Sequence, residues 1–467
     1  MSLVTISSYA NEGDRYEEEL NERDFDALRQ FVNSKRTLDL QEKSCNLTIS
    51  GDVRTEWRHM TEKCNGRRIL GNRFILDDKC APLGNNDFDV EFNLRLDYIS
   101  DNAWGVAHVL YDCSAGVDGG NCRKRKRQCL GKVRKNDKCS SPQRALYIND
   151  NFIPGSVLCC TDKFDGDPAG WHGSGSKCDL NLRKAYMGMN VYDNCGTRFD
   201  VEIGRRNLYN VFDSKVQFLS RFDGILLKYT SFYEEMAEFY VYLAGFVVDE
   251  RVNHFAWITE IGVENICESC FDVKYSFIDW PKRGKNRCNI RSPEGFKFQN
   301  SQISMAYHFN PELINIKSKL YGAAIMNHSA PKLTVRNVDG IDANGQPIFG
   351  KTFNFNNECY AWYVGCTFGK VCEQGDWALD CQYQWVQAVS IPDRDCSGIG
   401  RGNFLGQSFT ADGRGNTNFK GWRAELLYAL TDNLTLDMIW ESSTALNKRI
   451  GGNHDFSKFE LEAIYAF

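Results

Sequence analysis

The sequence predicts an all-β protein, a single transmembrane antiparallel β-barrel of about sixteen strands that follows a short helical N-terminal segment. Three observations lead to this prediction. Apolar and charged residues alternate along many segments, short and long connections separate these segments in turn, and the chain finishes on an alternating stretch with a terminal aromatic residue. Successive side chains of a strand point to opposite faces, so alternation gives one apolar face and one charged face.

The N-terminal segment, residues 1–44, is polar and acidic and is expected to be periplasmic and partly helical. Phe25, Leu28 and Val32 recur at helical spacing, which indicates a short amphipathic helix packed on another surface. A coiled coil would show the same spacing over a longer stretch. The first residues lack the basic start and apolar core of a secretory signal, so we expect that such a signal has been removed.

The barrel is predicted to cover residues 45–467, and its clearest strand is the stretch FDVEFNLRLDY at 88–98. A strand places its apolar residues on one face and its charged residues on the other, whereas a helix would scatter the charges. The predicted strands are 47–58, 88–99, 103–112, 180–191, 197–206, 220–229, 237–248, 254–265, 270–280, 298–309, 315–326, 358–369, 375–389, 418–429, 433–443 and 455–467.

The connections support closure into a membrane barrel. If the first strand starts on the inner side, brief turns such as 98–104 and 430–435 fall at inner positions. Outer-membrane barrels have short inner turns and long outer loops. The long inserts are 59–87, 113–179, 281–297, 327–357, 390–417 and 444–454, and two outer connections, 207–219 and 249–253, are shorter than this rule expects. The alternative is a soluble β-sandwich or β-solenoid with one buried face.

Composition excludes two other classes of protein. No run of about 18 apolar residues is present, so the chain has no transmembrane helix. The formal net charge of -5 argues against a general nucleic-acid binder, because such proteins carry excess positive charge. We therefore expect no nucleic-acid partner.

The 19 cysteines indicate an oxidising compartment. Zinc sites would need repeated CxxC pairs, and only Cys267 and Cys270 have that spacing, so we expect no metal and no cofactor. Disulfides are the favoured interpretation. The odd number leaves at least one thiol unpaired or bonded to another chain.

The last ten residues, KFELEAIYAF, resemble the C-terminal assembly signal of bacterial outer-membrane proteins. The residues that match the alternate positions of that signal are Phe459, Leu461, Ala463, Tyr465 and Phe467. The resemblance implies that barrel-assembly machinery is a partner and that the protein lies in the bacterial cell outer membrane.

Three longer stretches, 33–57, 202–229 and 421–440, look like the porin family of outer-membrane β-barrels found in chlamydiae-related bacteria. The resemblance implies a sixteen-stranded homotrimeric channel for passive diffusion of ions and small hydrophilic solutes, in contact with outer-membrane lipid and lipopolysaccharide. The high cysteine content is similar to that of chlamydial envelope proteins braced by disulfides. Disulfide-linked envelope proteins are therefore further expected partners.

A barrel of this size leaves an aqueous channel, so its inward charges would be the functional residues. Alternation assigns the following to the lumen: Asp52, Arg54, Asp89, Glu91, Arg95, Asp97, Asp200, Glu202, Arg206, Glu260, Asp272, Lys274, Asp380, Arg423, Glu425, Asp437, Glu460 and Glu462. Any one of them could instead be an ordinary solvated charge.

A constriction is predicted at the connection 204–218, where Arg205 and Arg206 would face Asp213 across the opening. Such opposed charges create a transverse field that orients dipolar solutes. The alternative is an ordinary salt bridge in a loop.

The basic run 122–139 lies within the cysteine-rich outer insert 113–179. We expect a loop stapled by disulfides that contacts lipopolysaccharide phosphates, a host polyanion or incoming anions, or that binds nothing. Cys366 and Cys381 are predicted to lie opposite each other across a hairpin as a candidate disulfide.

An enzyme is not expected, because the sequence contains no HExxH and no GxSxG motif. The stronger alternative to a channel is an adhesin or a disulfide-linked structural envelope protein, for which the barrel is only an anchor.

Overall fold

Sixteen antiparallel strands form one closed cylinder. The computed structural model describes residues 38–39, 46–64, 67–69, 86–117, 143–148, 151–152, 171–194, 196–233, 237–249, 254–266, 270–281, 297–309, 316–330, 332–341, 347–356, 358–392, 395–399, 417–451 and 453–467. The barrel strands are β1 (Leu47–Cys64), β2 (Asn86–Ile99), β3 (Ala103–Val117), β4 (Trp171–Asn194), β5 (Thr197–Asn207), β6 (Arg221–Tyr233), β7 (Ala237–Asp249), β8 (His254–Glu264), β9 (Phe271–Trp280), β10 (Phe298–Phe309), β11 (Ser318–Asn327), β12 (Tyr360–Gly369), β13 (Trp377–Val386), β14 (Phe419–Ala429), β15 (Leu434–Ala445) and β16 (His454–Ala466).

Each strand pairs with its neighbours in sequence, and β1 also pairs with β16. That last ladder runs from Asp52 opposite Ala466 to Cys64 opposite His454. The sheet therefore has no free edge, and the prediction of a single sixteen-stranded barrel is confirmed. A sandwich or solenoid is wrong, because every barrel strand belongs to the same closed ladder.

Strand positions agree with the predicted ones, but several strands are longer. β1 has 18 residues and β4 has 24, so both continue beyond the predicted span into the outer connections. We call the end of the barrel with the short connections the inner end, and the other the outer end. None of the helices among the described residues is long and apolar enough to cross a bilayer.

Two outer inserts are joined by a small second sheet. Its strands are Gln143–Ile148, Asn151–Phe152, Leu333–Ile341 and Pro347–Phe355, and Leu333 pairs with Ile148. The insert predicted at 113–179 is therefore partly strand. Its ends belong to β3 and β4, where Cys113 stands opposite Cys178 in register. The basic run 122–139 lies outside the described residues.

Short elements complete the fold. They are the strands Leu38–Asp39 and Arg67–Ile69, the 3-10 turn Leu208–Asn210 and the helical turn Lys448–Gly451. Leu38 and Asp39 pair antiparallel with Ile49 and Thr48, so this end of the N-terminal segment is extended rather than helical. The predicted helix face of Phe25, Leu28 and Val32 lies outside the described residues.

The outer surface of the barrel is apolar. Large exposed side chains include Val53, Val90, Ile203, Ile225, Leu243, Ile261, Ile303, Leu320, Val364 and Leu461. Exposed aromatic residues mark both ends, with Tyr98, Tyr192, Tyr233, Tyr307 and Tyr465 near the inner end and Trp57, Trp257, Tyr360, Trp422 and Trp440 nearer the outer end. An apolar band between two aromatic girdles is the surface pattern of a barrel that faces lipid.

The outer half of the interior contains an apolar core that alternation does not predict. Leu208, Phe212 and Phe218 of the β5–β6 connection are buried against inward residues of β6 to β10, including Phe222 and Phe246. In a lumen filled only with water, these apolar side chains would be solvent-exposed. The connection folds into the barrel and buries them, which is favourable because apolar surface is removed from water.

The connection between β13 and β14 also folds into the barrel and packs against the β5–β6 connection. Ile391, Cys396 and Ile399, between β13 and β14, are buried against inward Tyr363 and Phe419. Parts of both connections therefore lie inside the barrel toward its outer end.

Candidate functional site: the barrel lumen

All of the charged residues assigned to the lumen lie on inward positions. Arg54, Arg95 and Asp97 are half-buried. The buried ones are Asp52, Asp89, Glu91, Asp200, Glu202, Arg206, Glu260, Asp272, Lys274, Asp380, Arg423, Glu425, Asp437, Glu460 and Glu462. Alternation on regular strands is sufficient to place them there. Their part in permeation stays a prediction.

Ion pairs tie the seam strands β16, β1 and β2 together on the inside. Arg58 Nη2 lies 2.6 Å from Asp89 Oδ2, and the same guanidinium also contacts Glu56. Arg54 contacts Glu462 across the seam and lies 3.7 Å from Glu91. Arg58 Nε also lies 3.8 Å from Glu460 Oε2 on β16. Each arginine thus bridges carboxylates on both of its neighbouring strands, which offsets the repulsion between the carboxylates.

Strands β14, β15 and β16 continue this network of inward ion pairs. Arg423 Nη2 donates to Glu425 Oε2 at 3.0 Å and also contacts Glu441. Lys458 Nζ lies 2.9 Å from Glu460 Oε2. Asp437 differs from these residues, because neither of its carboxylate oxygens accepts a hydrogen bond from a described residue.

The β5–β6 connection crosses the lumen and contacts the far wall. Lys215 Nζ lies 3.4 Å from Asp380 Oδ2 on β13. Gln217 Nε2 donates to Gln302 Oε1 on β10 at 3.2 Å, and Asp213 Oδ2 lies 3.6 Å from Lys274 Nζ on β9. The segment at the predicted constriction therefore narrows the interior at mid-barrel.

The β13–β14 connection holds this segment in place. The two Asp395 carboxylate oxygens accept hydrogen bonds from the Phe218 and Ser220 amides at 3.1 and 3.0 Å. The Ser397 amide donates to the Val216 carbonyl at 2.9 Å. No signal in the sequence identified Asp395, because its partners are distant in sequence and are backbone groups.

The prediction for Arg205 is wrong. This residue lies on the outward face of β5, where its guanidinium forms an ion pair of 2.6 Å with Asp223 of β6. The two side chains are 41% and 52% exposed. Adjacent residues of a strand point to opposite faces, so Arg205 and Arg206 cannot both face the lumen. Arg206 does point inward and contacts Glu202.

A small cavity, with about 20 Å³ of free volume, lies between the β5–β6 connection and the wall formed by β9 to β12. Residues of both charge signs line it, including Asp213, Lys215, Asp272, Lys274 and Lys319. Tyr321 and Tyr363 contribute aromatic surface. The sequence analysis missed Lys215, Lys319 and both tyrosines, since only the folded connection brings them together.

The C-terminal residues form the barrel seam. Phe459, Leu461, Ala463 and Tyr465 lie outward on β16, and the Phe467 ring stacks on Phe92 at 6.0 Å between centroids. Recognition of these residues by assembly machinery stays a prediction.

Cys366 and Cys381 stand directly opposite each other on β12 and β13. Both are half-buried free thiols. Directly opposed residues have Cβ atoms about 4.5–5.5 Å apart, somewhat more than the roughly 3.8 Å of a disulfide.

Mild oxidation with copper phenanthroline, with oxygen as the electron acceptor, is therefore expected to join Cys366 and Cys381 with the loss of two hydrogen atoms. Mass spectrometry of unreduced peptides detects the linked pair. Cys366→Ser is the control, in which the linked peptide must be absent. Complete alkylation of both thiols after oxidation would contradict the prediction.

The closed ladder, the apolar exterior and the ionic interior together define a transmembrane β-barrel of the outer-membrane type. No protein-family model matches the chain, and no curated protein matches it.

Several solved structures are similar in fold. Pseudomonas putida OprB at low pH is 8% identical, with 96% of this chain and 100% of that chain covered and a TM-score of 0.44. Salmonella typhi OmpF in complex with daunomycin is 11% identical, with 90% and 98% covered and a TM-score of 0.41. The outer membrane channel DcaP of Acinetobacter baumannii is 9% identical, with 91% and 99% covered and a TM-score of 0.41. At these values the comparisons assign neither a family nor a solute to this chain.

Proposed function

We propose that the protein is an outer-membrane porin that forms a water-filled channel for passive diffusion of ions and small hydrophilic solutes. The observation that supports this proposal most is a closed barrel with apolar residues outside, ionic residues inside and a connection that crosses the lumen. A barrel that served only as an anchor would not need charged groups on nearly every interior strand.

Reconstitution into planar bilayers tests the proposal. Discrete ohmic conductance steps are the expected result. A silent barrel would instead support the alternative, an adhesin or structural envelope protein. The small sheet that joins two outer inserts favours that alternative, because it gives the outer end an ordered surface.

The outer-membrane location follows from the barrel itself and does not depend on channel activity. Trimeric assembly, contact with lipopolysaccharide, disulfide links to other envelope proteins and the cysteine-rich chlamydial subtype rest on the resemblances in the sequence and stay predictions. Chemical cross-linking in native membranes, with and without reductant, separates a trimer from a disulfide-linked network.

The channel is expected to prefer cations. On β14, β15, β16, β1 and β2, inward carboxylates outnumber inward cations. Among the side chains that the structure describes, the carboxylates are Glu425, Asp437, Glu441, Glu460, Glu462, Asp52, Glu56, Asp89, Glu91 and Asp97, and the cations are Arg423, Lys458, Arg54, Arg58 and Arg95. A wall of excess negative charge concentrates cations and repels anions.

The reversal potential in a roughly tenfold KCl gradient should therefore lie toward that of potassium. Asp97→Asn, which removes a half-buried carboxylate on the inward face of β2, should move the reversal potential toward zero. Asp223→Asn on the outer face is the control and should leave it unchanged. A reversal potential toward that of chloride would contradict the expectation.

A further inference from the structure

A serine and a histidine are hydrogen-bonded to each other on the outward face of the barrel wall. Ser301 lies on β10, between the buried, inward residues Asn300 and Gln302. His328 directly follows β11 and is exposed. The Ser301 Oγ lies 2.7 Å from His328 Nε2. A hydroxyl within hydrogen-bond reach of an imidazole is the arrangement that activates serine as a nucleophile.

The strand ladder places the two side chains next to each other. Ser301 stands directly opposite Met326 of β11, which is exposed on the outer surface. Because successive side chains alternate, His328 follows Met326 on the outward side. The His328 amide donates to the Gln299 carbonyl of β10 at 2.8 Å. The histidine is therefore positioned by backbone pairing with the strand that carries the serine.

Tyr275 adds a third polar group to this pair. It is exposed on the outward face of β9, and its hydroxyl lies 3.0 Å from Ser301 Oγ. When the proton of the ring is on Nδ1, His328 accepts from the serine hydroxyl, which in turn accepts from the Tyr275 phenol. The phenol is also close enough to donate to an oxyanion on a carbon that Oγ attacks, as hydrogen-bond donors do in acyl transfer.

The pair lies at a boundary between apolar and polar surface. Ile303 and Met326 beside it are apolar and exposed. Toward the outer end, Gln299 donates to Asp279 at 3.4 Å, and Asp279 forms an ion pair of 3.2 Å with Lys297. The ester groups of membrane lipids lie at the same kind of boundary, between the hydrocarbon core and the headgroups. The serine hydroxyl therefore stands at the depth of lipid esters.

We propose that Ser301 and His328 form a catalytic dyad that hydrolyses acyl esters of membrane lipids. Ser301 Oγ attacks the acyl carbonyl carbon while His328 Nε2 takes the hydroxyl proton. The ester bond between that carbon and the alcohol oxygen then breaks, and His328 gives the proton to the leaving alcohol. Water, deprotonated by the same imidazole, cleaves the acyl-serine, so one ester and one water give a carboxylic acid and an alcohol. This activity goes beyond the proposed channel and does not depend on it.

The dyad has no motif in the sequence. GxSxG describes a serine on a strand-to-helix turn, whereas Ser301 lies within a strand. Ser301 and His328 are 27 residues apart and meet only through the pairing of β10 with β11. No carboxylate among the described residues contacts the His328 ring, so turnover should be slower than that of a triad with an orienting acid.

Release of oleic acid from dioleoylphosphatidylcholine vesicles that contain the full-length barrel tests the proposal, with mass spectrometry to measure the acid. Ser301→Ala and His328→Ala should each lower the rate at least about a hundredfold, because they remove the nucleophile and the base. Ser304→Ala is the matched control, since Ser304 lies on the inward face of the same strand. The gel shift between heated and unheated samples shows that each variant is folded.

A fluorophosphonate probe distinguishes the dyad from a contaminating lipase. The probe forms a bond between Oγ and phosphorus with loss of fluoride, and peptide mass spectrometry should find it on Ser301 in the unsubstituted protein and in Ser304→Ala, but not in His328→Ala. Absence of oleic acid release, release that Ser301→Ala and His328→Ala leave unchanged, or absence of the label from Ser301 would each overturn the proposal. Ester cleavage by a barrel without conductance would keep the dyad and overturn the channel.

Discussion

Replacing residues 209–217 with a short glycine–serine linker is expected to raise the single-channel conductance at least about twofold, because this segment no longer crosses the lumen. This segment supplies Lys215 and Gln217, which contact the far wall, and the buried Phe212. The strands should stay paired, since the interstrand hydrogen bonds do not involve the connection. Single-channel recording gives the conductance, and the gel shift between heated and unheated samples confirms that the barrel is folded.

A point substitution tests the same idea without a deletion. Asp395→Ala removes the carboxylate that accepts hydrogen bonds from the Phe218 and Ser220 amides, so the connection should move and the current should fluctuate. Asp376→Ala is the matched control, because Asp376 accepts from the Cys372 and Glu373 amides in an inner turn. Unchanged conductance and noise in the linker variant and in Asp395→Ala would show that the connection does not limit the current.

Gly51→Val is expected to prevent barrel closure almost completely. A Cβ at residue 51 would lie 2.6 Å from Phe467 Cζ and 2.5 Å from the Asn93 carbonyl oxygen. Gly51 and Phe467 also exchange two backbone hydrogen bonds of 3.1 and 2.9 Å. A side chain at this point pushes the last residue away from β1, and the seam loses both its final bonds and the stacking of Phe467 on Phe92.

The yield of heat-modifiable folded barrel in membranes measures this effect. Gly105→Ala is the control, because a Cβ there meets no atom within 4 Å and should be tolerated. Removal of Phe467 alone should give an intermediate yield, since the hydrogen bonds are lost without a clash. A normal yield of folded Gly51→Val would contradict the role of this contact in closure.

The strands of the barrel wall can be predicted from the sequence, but the connections that fold inside the barrel cannot. Alternation of Phe88, Asp89, Val90 and Glu91 depends only on the two-residue period of a strand. The positions of the sixteen barrel strands could therefore be predicted without knowledge of tertiary contacts. The inward Phe222 and Phe246 follow the same period with the opposite polarity, because buried connections and not water cover them. The fold of a connection depends on contacts distant in sequence, as between Lys215 and Asp380.

Arg205 illustrates the same limit within a strand. The sequence predicts a strand over 197–206 and a constriction over 204–218, and the constriction places both arginines in the lumen, although β5 continues to Asn207. Because successive side chains of a strand point to opposite faces, Arg205 lies on the outer face of β5 and Arg206 on the inner face. Strand ends are therefore where a sequence-based assignment of faces fails first.

The seam between β1 and β16 also constrains the order of folding. The strands that meet there stand at opposite ends of the barrel sequence, so this pairing has the largest loop-closure entropy of any in the sheet. Until it forms, two strand edges with unsatisfied amides and carbonyls are open to other chains. We therefore expect the chain to aggregate before its last strand pairs with its first, unless another protein covers these two edges.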